Sequence, residues 1–179
     1  MKRVLGLLGL GAVALTLQGA VAAFLPARFC PDLAFLLVVA LGLCWRSAVG
    51  GVCMAGAIGY TTDLLSGSLL GQHALLRLAA YAVARFGNRH LNLRGALPQA
   101  VFVSALTGAN AFGMALLTSF FSPGSGVGMV AVRDLLPQAV VNVLFAPLVA
   151  LATARTLARL GDEEGGQRVL PIAPRGRIA

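Results

Sequence analysis

Apolar residues in this chain form long runs that are separated by short polar segments. The first run covers residues 4–25, and the last two cover residues 96–121 and about 135–154. Each run is long enough to cross ~30 Å of hydrocarbon as an α-helix, which needs about 20 residues. A transmembrane β-barrel would instead show segments of about 10 residues with alternating polarity. The pattern therefore predicts an all-α membrane protein.

Three shorter apolar runs lie between these long ones, at residues 33–45, 48–62 and 70–86. The first two are short for a perpendicular crossing, so we expect a compact helical hairpin with Trp45 as an interfacial anchor. The six runs together predict six transmembrane helices in a compact bundle over residues 1–160. Residues 161–179 are charged and contain Gly and Pro, which predicts a disordered cytoplasmic tail.

The first run also resembles a secretory signal peptide. Lys2 and Arg3 precede it, and Ala20 and Ala22 are small enough for a cleavage site. However, the run of 22 residues is longer than the apolar core of an ordinary signal peptide. We therefore predict an uncleaved first helix.

Composition and charge support a membrane protein and set its orientation. The chain has 179 residues, 58% of them hydrophobic and only 11% charged, which excludes an ordinary soluble domain. Six spans with a cytoplasmic N-terminus leave Arg28 and Arg133 outside and Arg77 within the fourth helix. The remaining basic residues then lie on the cytoplasmic side: Lys2, Arg3, Arg46, Arg85, Arg89, Arg94, Arg155, Arg159, Arg168, Arg175 and Arg177. The positive-inside rule therefore predicts two cytoplasmic termini. Contact with anionic membrane lipids, rather than nucleic acid, explains the net charge of +8.

Ionisable residues cluster around the turn between the third and fourth runs. Asp63 precedes the turn, and His73 and Arg77 follow it with the spacing of one helix face. Charged side chains are costly in hydrocarbon, so we expect these three to form a buried polar cluster. We favour a structural role in which the cluster locks the hairpin. A proton relay is the alternative, because His and Asp can titrate in such settings.

Small residues recur every four positions at Gly51, Ala55 and Gly59. Such a stripe lets two helix backbones approach closely in a membrane. Packing within the chain is the favoured interpretation, and docking of a partner helix is the alternative. The three cysteines, Cys30, Cys44 and Cys53, are widely spaced and suggest packing residues rather than a metal site.

Motifs of known catalytic chemistry are missing from the sequence. It contains no GxGxxG, Walker loop, HExxH or GxSxG pattern. A serine nucleophile paired with His73 is the catalytic alternative, but the Gly-Ser pairs lie in predicted turns. We therefore predict a non-catalytic protein with no metal site and no cofactor.

Two segments resemble the rod shape-determining protein MreD family. They are PDLAFLLVVALGL from Pro31 and GYTTDLLSGSLLGQHAL from Gly59. The family pattern combines a Pro-Asp start to the second helix with an Asp-Leu-Leu-x-Gly hairpin. The matching positions are Pro31, Asp32, Asp63, Gly67 and Gly71, with Asn142 in a last helix similar to that of the family.

The resemblance implies a multi-pass subunit of the bacterial cell-elongation machinery in the cytoplasmic (inner) membrane. Such a subunit would bind an MreC-type scaffold and help to organise peptidoglycan synthesis and cell shape. Through the scaffold it would associate with MreB filaments, RodA and a class B penicillin-binding protein. If a partner helix docks, the stripe of Gly51, Ala55 and Gly59 is the docking face that the sequence favours.

A second function follows from an architectural likeness. The family is similar to the S components of energy-coupling-factor transporters, which are six-helix bundles that bind vitamins. A vitamin site needs convergent polar and aromatic groups, whereas aromatic residues make up only 7% of this chain. The scaffold-binding function is therefore favoured over vitamin transport.

Overall fold

A computed structural model describes residues 2–45, 47–67, 70–91, 93, 95–121 and 127–160. The predicted tail, residues 161–179, lies outside this range. The described residues form helices joined by short connections, so the prediction of an all-α chain is confirmed. A short 3-10 helix, Ala27–Phe29, lies between the first two α-helices. The α-helices are α1 Lys2–Ala22, α2 Leu33–Cys44, α3 Ala48–Ser66, α4 Gln72–His90, α5 Ala96–Phe121 and α6 Val127–Arg159.

Two helices are longer than the apolar runs predict. Helix α4 continues to His90, one turn beyond the apolar run that ends at residue 86, so Arg89 also lies in the helix. Helix α6 begins at Val127, about two turns before the predicted start. Arginine is a good helix former, so a charged residue that ends an apolar run does not end a helix.

Four of the described helices are long and apolar enough to cross a membrane: α1, α3, α5 and α6. Helix α2 is apolar but has only 12 residues. Helix α4 falls outside the group because its sequence carries His73, Arg77, Arg85 and Arg89. Length and composition thus support four spans directly, and α2 and α4 pack among them.

Helix α2 is the centre of the bundle. All 12 of its residues are buried, and the helix has no polar face. The other five helices surround it in the spatial order α1, α3, α4, α5, α6, and α6 contacts α1 to close the ring. A helix that is apolar all round suits such a position, because every side of it meets protein.

Helix α4 holds both the end of α2 and the start of α3. Arg85 Nη1 donates to the backbone oxygen of Trp45, the residue that ends α2, at 2.9 Å. Tyr81 Oη donates to the backbone oxygen of Ser47, the N-cap of α3, at 3.4 Å. Carbonyl groups at a helix C-terminus lack partners within the helix, so the arginine supplies a donor that α2 needs.

The small-residue stripe is the contact surface between α3 and α4. Ala55 is fully buried, and a Cβ at Gly51 would overlap the Tyr81 ring. A Cβ at Gly59 would lie 2.5 Å from Ala74 Cα. This packing corrects the expectation that the stripe docks a partner, because α4 already covers it. Close approach of two backbones within the chain accounts for the small residues.

Both described ends of the chain lie at the same end of the bundle. A Cβ at Gly6, near the start of α1, would be 2.6 Å from Leu160 Cδ1, just after α6. We call this the terminal end. The opposite end, which carries the α1–α2 and α3–α4 connections, is the hairpin end.

Candidate functional site

Asp63 caps helix α4 from the end of the preceding helix. The N-cap position of α4 is Gly71, which has no side chain to bond the free N–H groups of the first turn. The Asp63 carboxylate accepts instead from the backbone N–H groups of Gly71 at 2.9 Å, His73 at 2.8 Å and Ala74 at 3.2 Å. One aspartate thus fixes the direction in which the chain leaves the turn.

The two motif glycines give the hairpin its backbone shape. Gly67, which ends α3, has φ +62°, and Gly71, which precedes α4, has φ +95°. Residues with a Cβ rarely adopt such left-handed conformations, whereas glycine does so at little cost. The Asp-Leu-Leu-x-Gly pattern therefore encodes a turn together with its cap.

His73 lies beside Asp63, as the sequence suggests. Its Nδ1 is 2.8 Å from Asp63 Oδ1, and 18% of the His73 side chain is exposed. An ionised carboxylate can only accept a hydrogen bond, so Nδ1 carries the proton in this contact. The pair strengthens the hairpin that the backbone bonds to Asp63 establish.

Arg77 pairs with Asp32 and not with Asp63. Arg77 Nη2 donates to Asp32 Oδ1 at 2.8 Å and to Asp32 Oδ2 at 2.7 Å. This corrects the expectation of a single Asp63–His73–Arg77 cluster. The Asp63 carboxylate already binds the N–H groups at the start of α4, while Arg77 lies ~7.5 Å further along that helix and meets the start of α2.

Asp32 joins four helices through its backbone and its side chain. Its carboxylate accepts from Phe35 N at 2.9 Å, which makes it the predicted N-cap of α2. Its own N–H donates to Asn142 Oδ1 on α6 at 3.0 Å. Asn142 Nδ2 in turn donates to Thr107 Oγ1 on α5 at 3.3 Å. With Arg77 from α4, these residues form the Asp32 cluster: Asp32, Arg77, Thr107 and Asn142.

Helix α1 reaches the same level of the bundle through Gln18. Its Oε1 accepts from Ala34 N, one of the free N–H groups at the start of α2, at 3.2 Å. Cys30 lies nearby in the connection and is buried. Burial raises the pKa of the Cys30 thiol, and the negative charge of Asp32 raises this pKa further.

The Arg77 guanidinium is almost completely enclosed. The residue is 1% exposed, and its guanidinium carbon lies 5.2 Å from the centre of the Phe35 ring. The Asp32 carboxylate compensates its charge, but Nη2 donates both of the hydrogen bonds. Within the described part of the chain, Nε and Nη1 have no hydrogen-bond acceptor.

The family-motif residues thus separate into two groups. Asp32 and Asn142 meet directly, and the buried Pro31 precedes them in the chain. Asp63, Gly67 and Gly71 form the hairpin. The sequence analysis did not identify Thr107 as the partner of Asn142. The position of Thr107 inside an apolar run was the signal that could have indicated a polar contact.

The arrangement is suited to holding helices together. Both aspartates accept several hydrogen bonds from backbone N–H groups or Arg77. These bonds occupy the carboxylate oxygens and secure the starts of α2 and α4. Among the described residues, no three His, Cys, Asp or Glu side chains could together hold a metal ion. These features define a helical membrane protein whose buried ionisable groups secure helix ends.

A family model for the rod shape-determining protein MreD matches residues 3–154. The match covers most of the chain, which therefore belongs to the MreD family. The resemblance found in the sequence is confirmed. Members of this family are membrane proteins that determine cell shape, and the family is associated with the MreC/MreB shape complex. Comparisons with curated proteins and with solved structures give no match.

Proposed function

We propose that the chain is a non-catalytic subunit of the bacterial cell-elongation complex that binds an MreC-type scaffold. Its role is to help organise peptidoglycan synthesis and cell shape, with MreB filaments, RodA and a class B penicillin-binding protein as indirect partners. The family match over residues 3–154 carries this proposal. The geometry supports it, because the motif residues bond helix ends instead of forming a catalytic arrangement.

The same proposal includes a multi-pass topology in the inner membrane. Helices α2 and α4 cross with the four long apolar helices, and both termini lie in the cytoplasm. The common position of the two described chain ends supports this topology, as does the concentration of Lys and Arg on that side.

The docking surface for the scaffold lies on side chains that face lipid, since α4 covers the small-residue stripe. Helices in a membrane associate through close packing and hydrogen bonds, with no hydrophobic gain over lipid. Hydrophobicity alone therefore does not identify the docking surface, and it has to be located by experiment.

Site-specific photocrosslinking locates this surface. Five helices of the ring each carry an exposed valine, which gives a matched set of probe positions: Val13, Val52, Val83, Val101 and Val140. A benzophenone amino acid at each position should crosslink to the MreC-type partner from one helix or from two adjacent helices. Val38, which is fully buried on α2, is the control position and should give no crosslink.

Two results would contradict the proposal. One is the absence of crosslinking from all five valines together with no co-purification of the partner from native membranes. The other is tight binding of a vitamin by the purified chain and co-purification with an energy-coupling module, which would favour the S-component function.

A further inference from the structure

The connection between α1 and α2 lies at the level where a membrane-spanning α1 leaves the hydrocarbon. Helix α1 has 21 residues and is therefore ~31 Å long, which matches the ~30 Å of a bilayer core. Cys30 Sγ lies 3.8 Å from the backbone oxygen of Gln18, which is close to the last residue of α1, Ala22. The connection therefore lies beside the end of α1, at the boundary between acyl chains and headgroups.

This connection has an apolar outer surface. Phe24 is 86% exposed, Leu25 is 44% exposed and Phe29 is 42% exposed. The opposite side of the connection is covered, because the 3-10 helix that contains Arg28 and Phe29 packs against α6. We call the exposed residues Phe24, Leu25, Arg28 and Phe29 the connection face.

The backbone of the connection is suited to contact with hydrocarbon. The N–H groups of Phe24 and Leu25 donate to the Val21 oxygen at 3.1 and 3.0 Å. Phe29 N donates to the oxygen of Pro26 at 2.9 Å, and Pro26 itself has no N–H group. Backbone donors without a partner are costly beside lipid chains, so these turn bonds allow the segment to lie against them.

Arg28 supplies the charge of the connection face. Its guanidinium carbon lies 5.0 Å from the centre of the Phe29 ring. Among the residues that the structure describes, no acidic side chain pairs with Arg28. An arginine beside exposed apolar groups lays its stem along them and keeps its charged head in the polar layer. The guanidinium fits a phosphate group in both charge and geometry.

A phospholipid combines the two chemistries that this face requires. Its acyl chains cover apolar side chains, and its phosphate lies directly next to those chains and carries the negative charge that Arg28 lacks. A protein partner would have to present an apolar surface and an acidic group together at this same depth. Charge complementarity and depth therefore favour a lipid as the occupant.

We propose that the connection face binds a phospholipid of the leaflet at the hairpin end. Phe24, Leu25 and Phe29 lie among its acyl chains, and Arg28 donates to its phosphate. The contact holds the start of the central helix at a fixed depth, because the connection leads directly to Asp32, the N-cap of α2. This binding requires α1 to cross the membrane, but it does not depend on the proposed scaffold partner.

Tryptophan reporters and brominated lipids measure the depth of the connection face. Phe24→Trp, Phe29→Trp and Val13→Trp are made separately in the full-length chain, whose own Trp45 is buried and gives a constant background. The variants are reconstituted into vesicles of phosphatidylglycerol and phosphatidylcholine brominated either near the headgroup or near the chain ends. Val13 is exposed near the middle of α1 and is the control for a spanning helix.

We expect the reporters at positions 24 and 29 to be quenched more strongly by bromine near the headgroup. The reporter at position 13 should be quenched more strongly by bromine near the chain ends. Phe24 is the more exposed of the two phenylalanines, so Phe24→Trp alone decides the result if Phe29→Trp lowers the thermal unfolding midpoint.

Arg28→Glu tests the phosphate contact, and Arg28→Lys is the matched control because it keeps the charge. Both should keep the thermal midpoint, since Arg28 is exposed. In the Phe24→Trp chain, Arg28→Glu should raise the fraction of reporter that acrylamide quenches ~5-fold, the effect of about one lost charge contact with an anionic membrane surface. Arg28→Lys should respond like the parent variant, and equal responses of the two would overturn the phosphate contact.

The control position separates failure of this site from failure of the membrane topology. Quenching by acrylamide but not by bromine at positions 24 and 29, with normal quenching at position 13, would overturn the lipid contact and leave a protein as the occupant. Absence of bromine quenching at all three positions would contradict a spanning α1 and the lipid contact with it.

Discussion

At the scale of single residues, Asp32 and Asp63 each do more than an ordinary cap. Asp32 caps its own helix and also binds Arg77 from α4. Asp63 caps a helix whose N-cap position, Gly71, lies eight residues after it, since it accepts from Gly71 N. Both carboxylates therefore stabilise the local turn and the tertiary contact at once, and their loss should affect both.

The Asp32–Arg77 pair should show energetic coupling. Asp32→Asn and Arg77→Gln should each destabilise the protein, since removal of one partner from a buried ion pair costs ~3–5 kcal/mol where it is well desolvated. The double variant should be less destabilised than the sum of the two, by ~1 kcal/mol or more. Unfolding in mixed detergent micelles with increasing dodecyl sulfate provides the free energies.

Asp63→Asn combined with Arg77→Gln is the control cycle. These side chains bind different partners, so their effects should add within ~0.5 kcal/mol. Strong coupling in this cycle with none between Asp32 and Arg77 would contradict the observed pairing.

The Cys30 thiol should react slowly with a water-soluble maleimide. Its pKa is raised by burial and by Asp32, so the thiolate fraction at pH 7–8 is lower than for a free cysteine. Labelling should increase with pH and should accelerate when detergent denaturation exposes the thiol. A variant that retains only Cys30 allows labelling to be followed by mass spectrometry, and rapid reaction of the folded protein would argue against this environment.

The sequence identified the important charged residues but not all of their partners. Helical spacing placed His73 and Arg77 on one face, and the contact of His73 with Asp63 follows from the short turn between them. The partner of Arg77 depends on how α2 and α4 cross, and Asp32 is far away in sequence. Local periodicity contains no information on that crossing.

At the scale of helices, the α3–α4 hairpin depends on its cap and its glycines. Asp63→Ala should destabilise the protein by about 1–2 kcal/mol through loss of the cap alone. Gly71→Ala should cost about 1 kcal/mol or more, because φ +95° is strained for alanine. Gly9→Ala is the control: a Cβ there meets nothing within 4 Å, and alanine favours the helix. Equal effects of Gly71→Ala and Gly9→Ala on unfolding would refute the role of the turn.

The α3–α4 contact gives a second test at this scale. Ala55→Leu should lower the thermal midpoint and disturb the bundle, because Ala55 is fully buried against α4 and overpacking costs ~1–3 kcal/mol. Ala57→Leu adds the same volume on the exposed face of α3 and should leave stability nearly unchanged. If Ala55→Leu instead kept its stability and lost only the scaffold partner, the stripe would be a docking face after all.

At the scale of the whole molecule, the proposed topology predicts where reporters become active. A fluorescent protein fused after residue 161 should fluoresce, because it remains in the cytoplasm. Alkaline phosphatase fused near residue 125 should be active, because it is exported. The reverse pattern, or an exported tail, would exclude six spans with cytoplasmic termini.

Much of the overall architecture could be predicted, because apolar runs and basic segments are sequence signals that extend over whole helices and their ends. The all-α class follows from these signals, and the family follows from the Pro-Asp and Asp-Leu-Leu-x-Gly motifs. The central position of α2 does not, since a run of 12 apolar residues suits a short span, an interfacial helix or a buried helix equally well. Only the contacts of the other helices distinguish these cases.

The central position of α2 has a consequence for biosynthesis. The ribosome completes α2 well before α4, so Asp32 and the end of α2 at Trp45 enter the translocon without Arg77 and Arg85. We therefore expect the first three helices to remain beside the insertion machinery until α4 has emerged. A nascent chain truncated before α4 should stay crosslinked to the translocon, whereas a chain extended through residue 121 should be released into the lipid.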